Sequence, residues 1–247
     1  MHIFTPGERE RLRAELVSAA QSDPNLAAAA NTGSAASDRL DRWSDIDIGL
    51  CLKPDAARDQ VIANWSDRLY GHGSVTHTDI MRGPTLFRVF LLENTLQVDI
   101  AFWDAADFGP MGPNFKLIFG ETQPPRPAPQ PDPQALIGMA WLYALHIRSS
   151  IARGRILQAD YMLSGMRNHV FELMCLRCGV VAQQGRGLDD LPPDEQKSAL
   201  ECIPRSLGPG ELKRAFQRTT QTLRWEIGNV DAELESRLSG PLNKIIG

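Results

Sequence analysis

Residues 122–133 read TQPPRPAPQPDP, with proline at six of the twelve positions. Proline has no amide hydrogen to donate and fixes its own φ, so neither a helix nor an interior strand can run through such a segment. Proline at this density favours the extended polyproline II conformation and acts as a semi-rigid linker. The chain is therefore expected to fold as two bodies, residues 1–121 and 134–247, joined by a linker at 122–133. Its 247 residues suffice for one large domain or two small ones, and for a real core.

The two sides of the proline run differ in pattern. Thr5, with Glu8 three residues later, makes a capping box, and Pro6 takes the first helical position, which predicts a helix over 6–21. The apolar stretch 25–31 reads as a strand that runs into the turn Thr32-Gly33-Ser34. Residues 45–52 alternate as a strand, and 55–70 have helical spacing. Strand-like runs follow at 75–80, 86–92 and 96–102, with Glu93-Asn94-Thr95 as a hairpin loop between the last two. Beyond the proline run the pattern is helical throughout, over 134–153, 156–178, 209–227 and 230–238. The expected fold class is α+β: a mixed β-sheet domain with flanking helices, followed by an α-helical bundle domain.

Composition narrows the function classes. A formal net charge of −4 leaves no broad basic surface of the kind that binds nucleic acid, so no nucleic-acid partner is expected. Of the four cysteines, Cys175 and Cys178 have CxxC spacing, but no second pair completes a zinc site, and they read as reduced residues of an apolar helix. The charged N-terminus lacks an apolar signal core, and the apolar run 136–147 is too short to span a bilayer. These features predict a soluble cytoplasmic protein without a membrane partner.

The chemistry gathers at 33–50, GSAASDRLDRWSDIDIGL. Alternation along a strand sends Asp45 and Asp47 to one face and Ile46 and Ile48 to the other. Two like charges on a half-buried strand repel and are costly to desolvate, which points to a cation. Asp99, in LQVDIAF, is again embedded among apolar β-formers. If the two strands pair, Asp45, Asp47 and Asp99 converge on a site for a hard divalent cation such as Mg²⁺. Two such ions can clamp the attacking and leaving oxygens of a phosphoryl displacement. The glycine turn at Gly33-Ser34, opening a short helix, offers amides and a hydroxyl to a triphosphate. Ser44 reads either as a further phosphate contact or as a turn residue, and Lys116 as a surface lysine.

Gly33-Ser34, then Asp45-Ile46-Asp47, then Asp99 on a later strand resembles the nucleotidyltransferases of the polymerase-beta type. The string GSAA…DRWSDIDIGL is most similar to their bacterial antibiotic branch, the aminoglycoside and lincosamide enzymes. The motifs cover 31–102, and beyond them the helical part after a linker agrees with that branch. The resemblance implies a Mg²⁺-dependent enzyme with two ions that moves a nucleoside monophosphate, AMP from ATP or its counterpart from another nucleoside triphosphate, to a hydroxyl of a small molecule and releases pyrophosphate. An aminoglycoside or lincosamide acceptor, and with it antibiotic resistance, follows from the resemblance, and a homodimer is left open. In that branch a glutamate of the helical domain serves as base. No glutamate here matches it, and Asp160, which shares a helix face with Ser164 and Arg167, is the candidate. Relatives often carry Arg-Gly where this chain has Ser37-Asp38. That acidic residue motivates one alternative, a degenerate nucleotide-binding module. A protein-adenylylating enzyme of the antitoxin type is the other, and the long helical part counts against it.

Overall fold

The computed structural model describes residues 3–37, 39–126 and 129–247. They form two compact units, Met1–Ala128 and Pro129–Gly247.

The first unit opens with α1, Pro6–Ser22, capped as its sequence predicts. Thr5 Oγ1 accepts from the Glu8 amide at 3.3 Å, and the Glu8 carboxylate accepts from the Thr5 amide at 2.7 Å. There follow β1 (Leu26–Thr32), α2 (Gly33–Ala36), β2 (Ile46–Leu52), α3 (Arg58–Gly71), β3 (Ser74–Arg82), β4 (Thr85–Leu92), β5 (Gln97–Asp104) and β6 (Phe115–Phe119). The six strands make one mixed sheet in the order β3-β4-β5-β2-β1-β6. The β2–β5 pair is parallel, whereas every other neighbouring pair is antiparallel. Strand β6 is absent from the sequence reading. It is a five-residue edge strand with no buried residue, so neither length nor alternation announces it.

Alternation divides the sheet into two unlike faces. Ile46, Ile48 and Leu50 of β2 and Val98, Ile100 and Phe102 of β5 are fully buried against Leu16 of α1 and Val61, Trp65 and Leu69 of α3. The opposite face carries Asp47 and Asp99, then a smaller apolar cluster that includes Ala101, Trp103 and Phe108. The helices thus cover one face, as expected, and the acidic positions lie on the other.

The proline segment begins as part of this unit. The Gln123 amide donates to Phe108 O at 2.8 Å and the Arg126 amide to Pro110 O at 2.9 Å, so residues 122–126 are tied to the loop after β5.

The second unit contains α4 (Pro133–Ala152), α5 (Ile156–Cys178), α6 (Pro193–Glu201), α7 (Pro209–Val230) and α8 (Ala232–Ile246) around a core of its own. Helix α6 was not anticipated, and α8 continues through Pro241 past the expected end at 238. Helix α4 corrects one expectation. It extends the apolar run 136–147 at both ends, so the helix as a whole is long and apolar enough to cross a membrane. Here Leu136, Ile137, Ala140, Ala144 and Ile147 are buried in the helical core. The cysteines are free thiols, with Cys175 buried on α5.

Candidate metal centre

Parallel pairing of β2 with β5 sets Ile46 against Val98, Asp47 against Asp99 and Ile48 against Ile100. The hydrophobic pattern enforces this register, because a shift by one residue would carry the isoleucines off the core and both aspartates into it. Asp45, immediately before β2, joins them. One carboxylate oxygen from each of Asp45, Asp47 and Asp99 lies within 4.8 Å of the others, and all three residues are half-buried.

The cluster is electrostatically unfavourable by itself. Burial, with the neighbouring Asp45 charge adding to it, pushes the Asp99 carboxyl up to about 6, against the opposing effects of a hydrogen bond from Gln97 and the charge of Arg82. Gln97 Nε2 donates to Asp99 Oδ1 at 2.9 Å and approaches Asp45 Oδ2 at 3.3 Å, so a single amide is shared between two carboxylates. Gln97 is a residue that the sequence reading missed. Its signal was the same period of two that places Asp99, since residues 97 and 99 share a face.

Three features fit these residues to a hard divalent cation. The donors are all carboxylate oxygens, the set Mg²⁺ prefers. At Mg²⁺–oxygen distances near 2.1 Å, ligands of one octahedral ion stand about 3–4 Å apart, compatible with the observed spread. Gly33, the first residue of α2, leaves room for one of them: a Cβ there would come within 2.0 Å of Asp47 Oδ2. Gly33 also has φ +60°, the left-handed region that glycine enters without strain.

Ser34 follows in α2, and its Oγ is buried without a hydrogen-bond partner among the described residues. A hydroxyl so placed is costly unless a ligand completes it. Asp38, the charge close to this turn, lies outside the described residues. Ser44 is occupied differently: its Oγ donates to Asp41 Oδ1 at 3.0 Å and accepts from the Asp41 amide at 2.9 Å. Ser44 thereby closes the turn that delivers Asp45. Arg9 of α1, almost wholly buried, holds the same turn from outside, donating to Asp41 O at 2.6 Å and Ser44 O at 3.1 Å. Trp43, on the same turn, is 68% exposed, with the Arg42 guanidinium 4.7 Å from its ring centroid. Lys116 is exposed on β6, as expected of a surface lysine.

Asp160 belongs to α5 in the helical unit. Arg167, on the same helix face, donates to Ser164 Oγ at 3.1 Å and feels the Asp160 charge.

No protein-family model matches this chain, and no curated protein matches it. Several solved structures are similar to it. One is an aminoglycoside 6-adenyltransferase from Bacillus subtilis, with 12% identity, 96% of this chain and 97% of that chain covered, and a TM-score of 0.43. Another is the Cid1 poly(U) polymerase, with 12% identity, 82% and 50% covered, and a TM-score of 0.33. A third is a cytoplasmic RNA terminal U-transferase, with 13% identity, 88% and 66% covered, and a TM-score of 0.31. The chemistry of this site rests on the carboxylate cluster itself.

Proposed function

We propose that this protein is a Mg²⁺-dependent nucleotidyltransferase that moves a nucleoside monophosphate, AMP from ATP, to a hydroxyl of a small molecule. The observation that carries this reading is the carboxylate cluster Asp45, Asp47 and Asp99, with oxygens within 4.8 Å of one another beside a glycine that has no room for a side chain. Asp45, Asp47 and Asp99 would hold the metal. When bound, Mg²⁺ supplies charge stabilisation for the triphosphate and for the oxygens that exchange at phosphorus. Ser34 Oγ donates to a phosphate oxygen, and the glycine turn lets the phosphates approach the backbone.

In the transfer, the acceptor oxygen forms a bond to the α-phosphorus, and the bond from that phosphorus to its bridging oxygen breaks. Pyrophosphate leaves with the electron pair. The hydroxyl proton passes to a carboxylate, for which Asp160 is the candidate in the helical unit.

Calorimetry with ATP tests the reading directly. Binding is expected with Mg²⁺ and not in EDTA, and it is expected to be lost in Asp47→Asn. Absence of metal-dependent binding by the wild-type protein would overturn it. Asp160→Asn is expected to lower pyrophosphate release by about 10²–10⁴-fold with ATP affinity unchanged. Unchanged turnover would remove Asp160 from the mechanism. If ATP binds but no small hydroxylated acceptor releases pyrophosphate, the small-molecule reading gives way to a protein hydroxyl as acceptor or to a degenerate nucleotide-binding module.

A further inference from the structure

The sheet face that carries Asp47 and Asp99 continues, away from them, into an apolar pocket. Val89 of β4 lies opposite Asp99, and Phe87 opposite Ala101. Trp103 stands two residues further along β5 on the same face. The rings of Phe87 and Trp103 meet edge to face with centroids 6.3 Å apart and line a cavity of about 150 Å³. Met111, Pro124 and Asp107 also line it, and the exposed Arg82 and Arg126 stand at its rim. An apolar cavity of this size accommodates one benzene-sized ring.

The pocket is held in shape from both sides. Arg58 donates to Pro84 O at 3.1 Å and to Phe102 O at 3.3 Å, fixing the β3–β4 turn against the end of β5. The bonds from Gln123 and Arg126 to the loop after β5 fix the other wall. Preformed apolar pockets with few polar groups are the usual small-molecule sites.

The two rim guanidiniums differ. Arg126 is paired with Asp107 at 3.2 Å. Arg82 has no carboxylate partner among the described residues and lies over the Phe87 ring, 5.0 Å from its centroid. Phe87 is two residues along the strand from the Asp99 rung, about 7 Å. Arg82 is also close enough for its charge to be felt at Asp99.

We infer that this pocket is the acceptor subsite: it takes a ring-sized aromatic group of the hydroxyl-bearing substrate, whose carboxylate pairs with Arg82, leaving the hydroxyl to extend toward Asp99. The inference rests on the transferase reading for the word acceptor, whereas the ring-and-carboxylate site rests on the pocket alone. It makes the substrate an anionic aromatic hydroxy compound. A polycationic sugar would meet Arg82 here beside the Arg126–Asp107 pair, a net positive charge that repels it.

The test uses the full chain and three probes that share a ring and differ in charge: 3-phenylpropanoate, 3-phenylpropan-1-ol and 3-phenylpropylamine. Binding is followed by saturation-transfer NMR, and ATP–Mg²⁺ binding by calorimetry on the same samples. The acid is expected to bind at least about tenfold more tightly than the amine, the scale of one charge-assisted hydrogen bond. Arg82→Gln is expected to abolish that preference, retain alcohol binding and still bind ATP–Mg²⁺. Arg82 is exposed, so the variant is expected to melt with the wild type. Equal binding of acid and amine, no binding of any probe, or an acid preference that survives in Arg82→Gln would overturn the pocket assignment. Loss of ATP–Mg²⁺ binding in the wild type, with the acid preference intact, would instead overturn the transferase reading and leave the pocket standing.

Discussion

At Asp99 a carboxylate is kept half-buried beside Asp45, and the folded chain holds its proton more tightly than the unfolded chain does. The sign follows from linkage. A carboxyl raised to about 6 contributes stability that is fully present below the unfolded value near 4 and is lost as pH rises through the folded one. In EDTA, Asp99→Asn is therefore expected to melt above the wild type at pH 7 and together with it at pH 4, by differential scanning fluorimetry. Added Mg²⁺ is expected to raise the wild-type melting temperature at pH 7 and to leave the variant unmoved. Gly33→Ala acts on the neighbouring ligand, since its Cβ needs the space of Asp47 Oδ2. Metal affinity in that variant, read by Mn²⁺ titration, is expected to fall about 10–100-fold, the range for losing a group that orients a metal ligand.

Among the elements, α1 supports the site from outside, through the turn that leads into it. Arg9 donates to two carbonyls of the turn 41–44, and its replacement by methionine removes both hydrogen bonds. Arg9→Met is expected to lower the melting temperature of the sheet unit and to weaken Mn²⁺ binding, because the turn leads directly into Asp45. The strands were readable because their evidence is local. Alternation fixes which face Asp47 and Asp99 occupy, and the turn chemistry marks Gly33. Gln97 obeys the same period but is uncharged, so nothing singled it out. Arg9 could not have been found that way, since its partners lie more than thirty residues away and its helix-face pattern is that of any surface arginine. The pocket was hidden for the same reason: Phe87, Trp103 and Met111 come from three separate segments and each reads as ordinary core.

Across the whole molecule the two units keep separate cores, so calorimetric unfolding is expected to show two transitions, with Mg²⁺ raising only that of the sheet unit. The other transition can be identified through Arg177 of α5, which binds the Glu226 carboxylate of α7 at 2.8 and 2.9 Å and Glu195 of α6 at 2.8 Å. Glu226 is 1% exposed, and Arg177→Leu leaves its charge uncompensated at about 3–5 kcal/mol. That variant is expected to lower the second transition alone. The parallel β2–β5 pair has a consequence in time. Strands β3, β4 and β5 join as consecutive hairpins, but Asp47 meets Asp99 only when some fifty residues of chain are closed into a loop. On the ribosome, a nascent chain that has not yet released residue 99 carries two of the cluster's aspartates, Asp45 and Asp47, without the third. Metal capture therefore follows the pairing of β2 with β5, and the ion acts as a lock on that pair rather than as a seed for it.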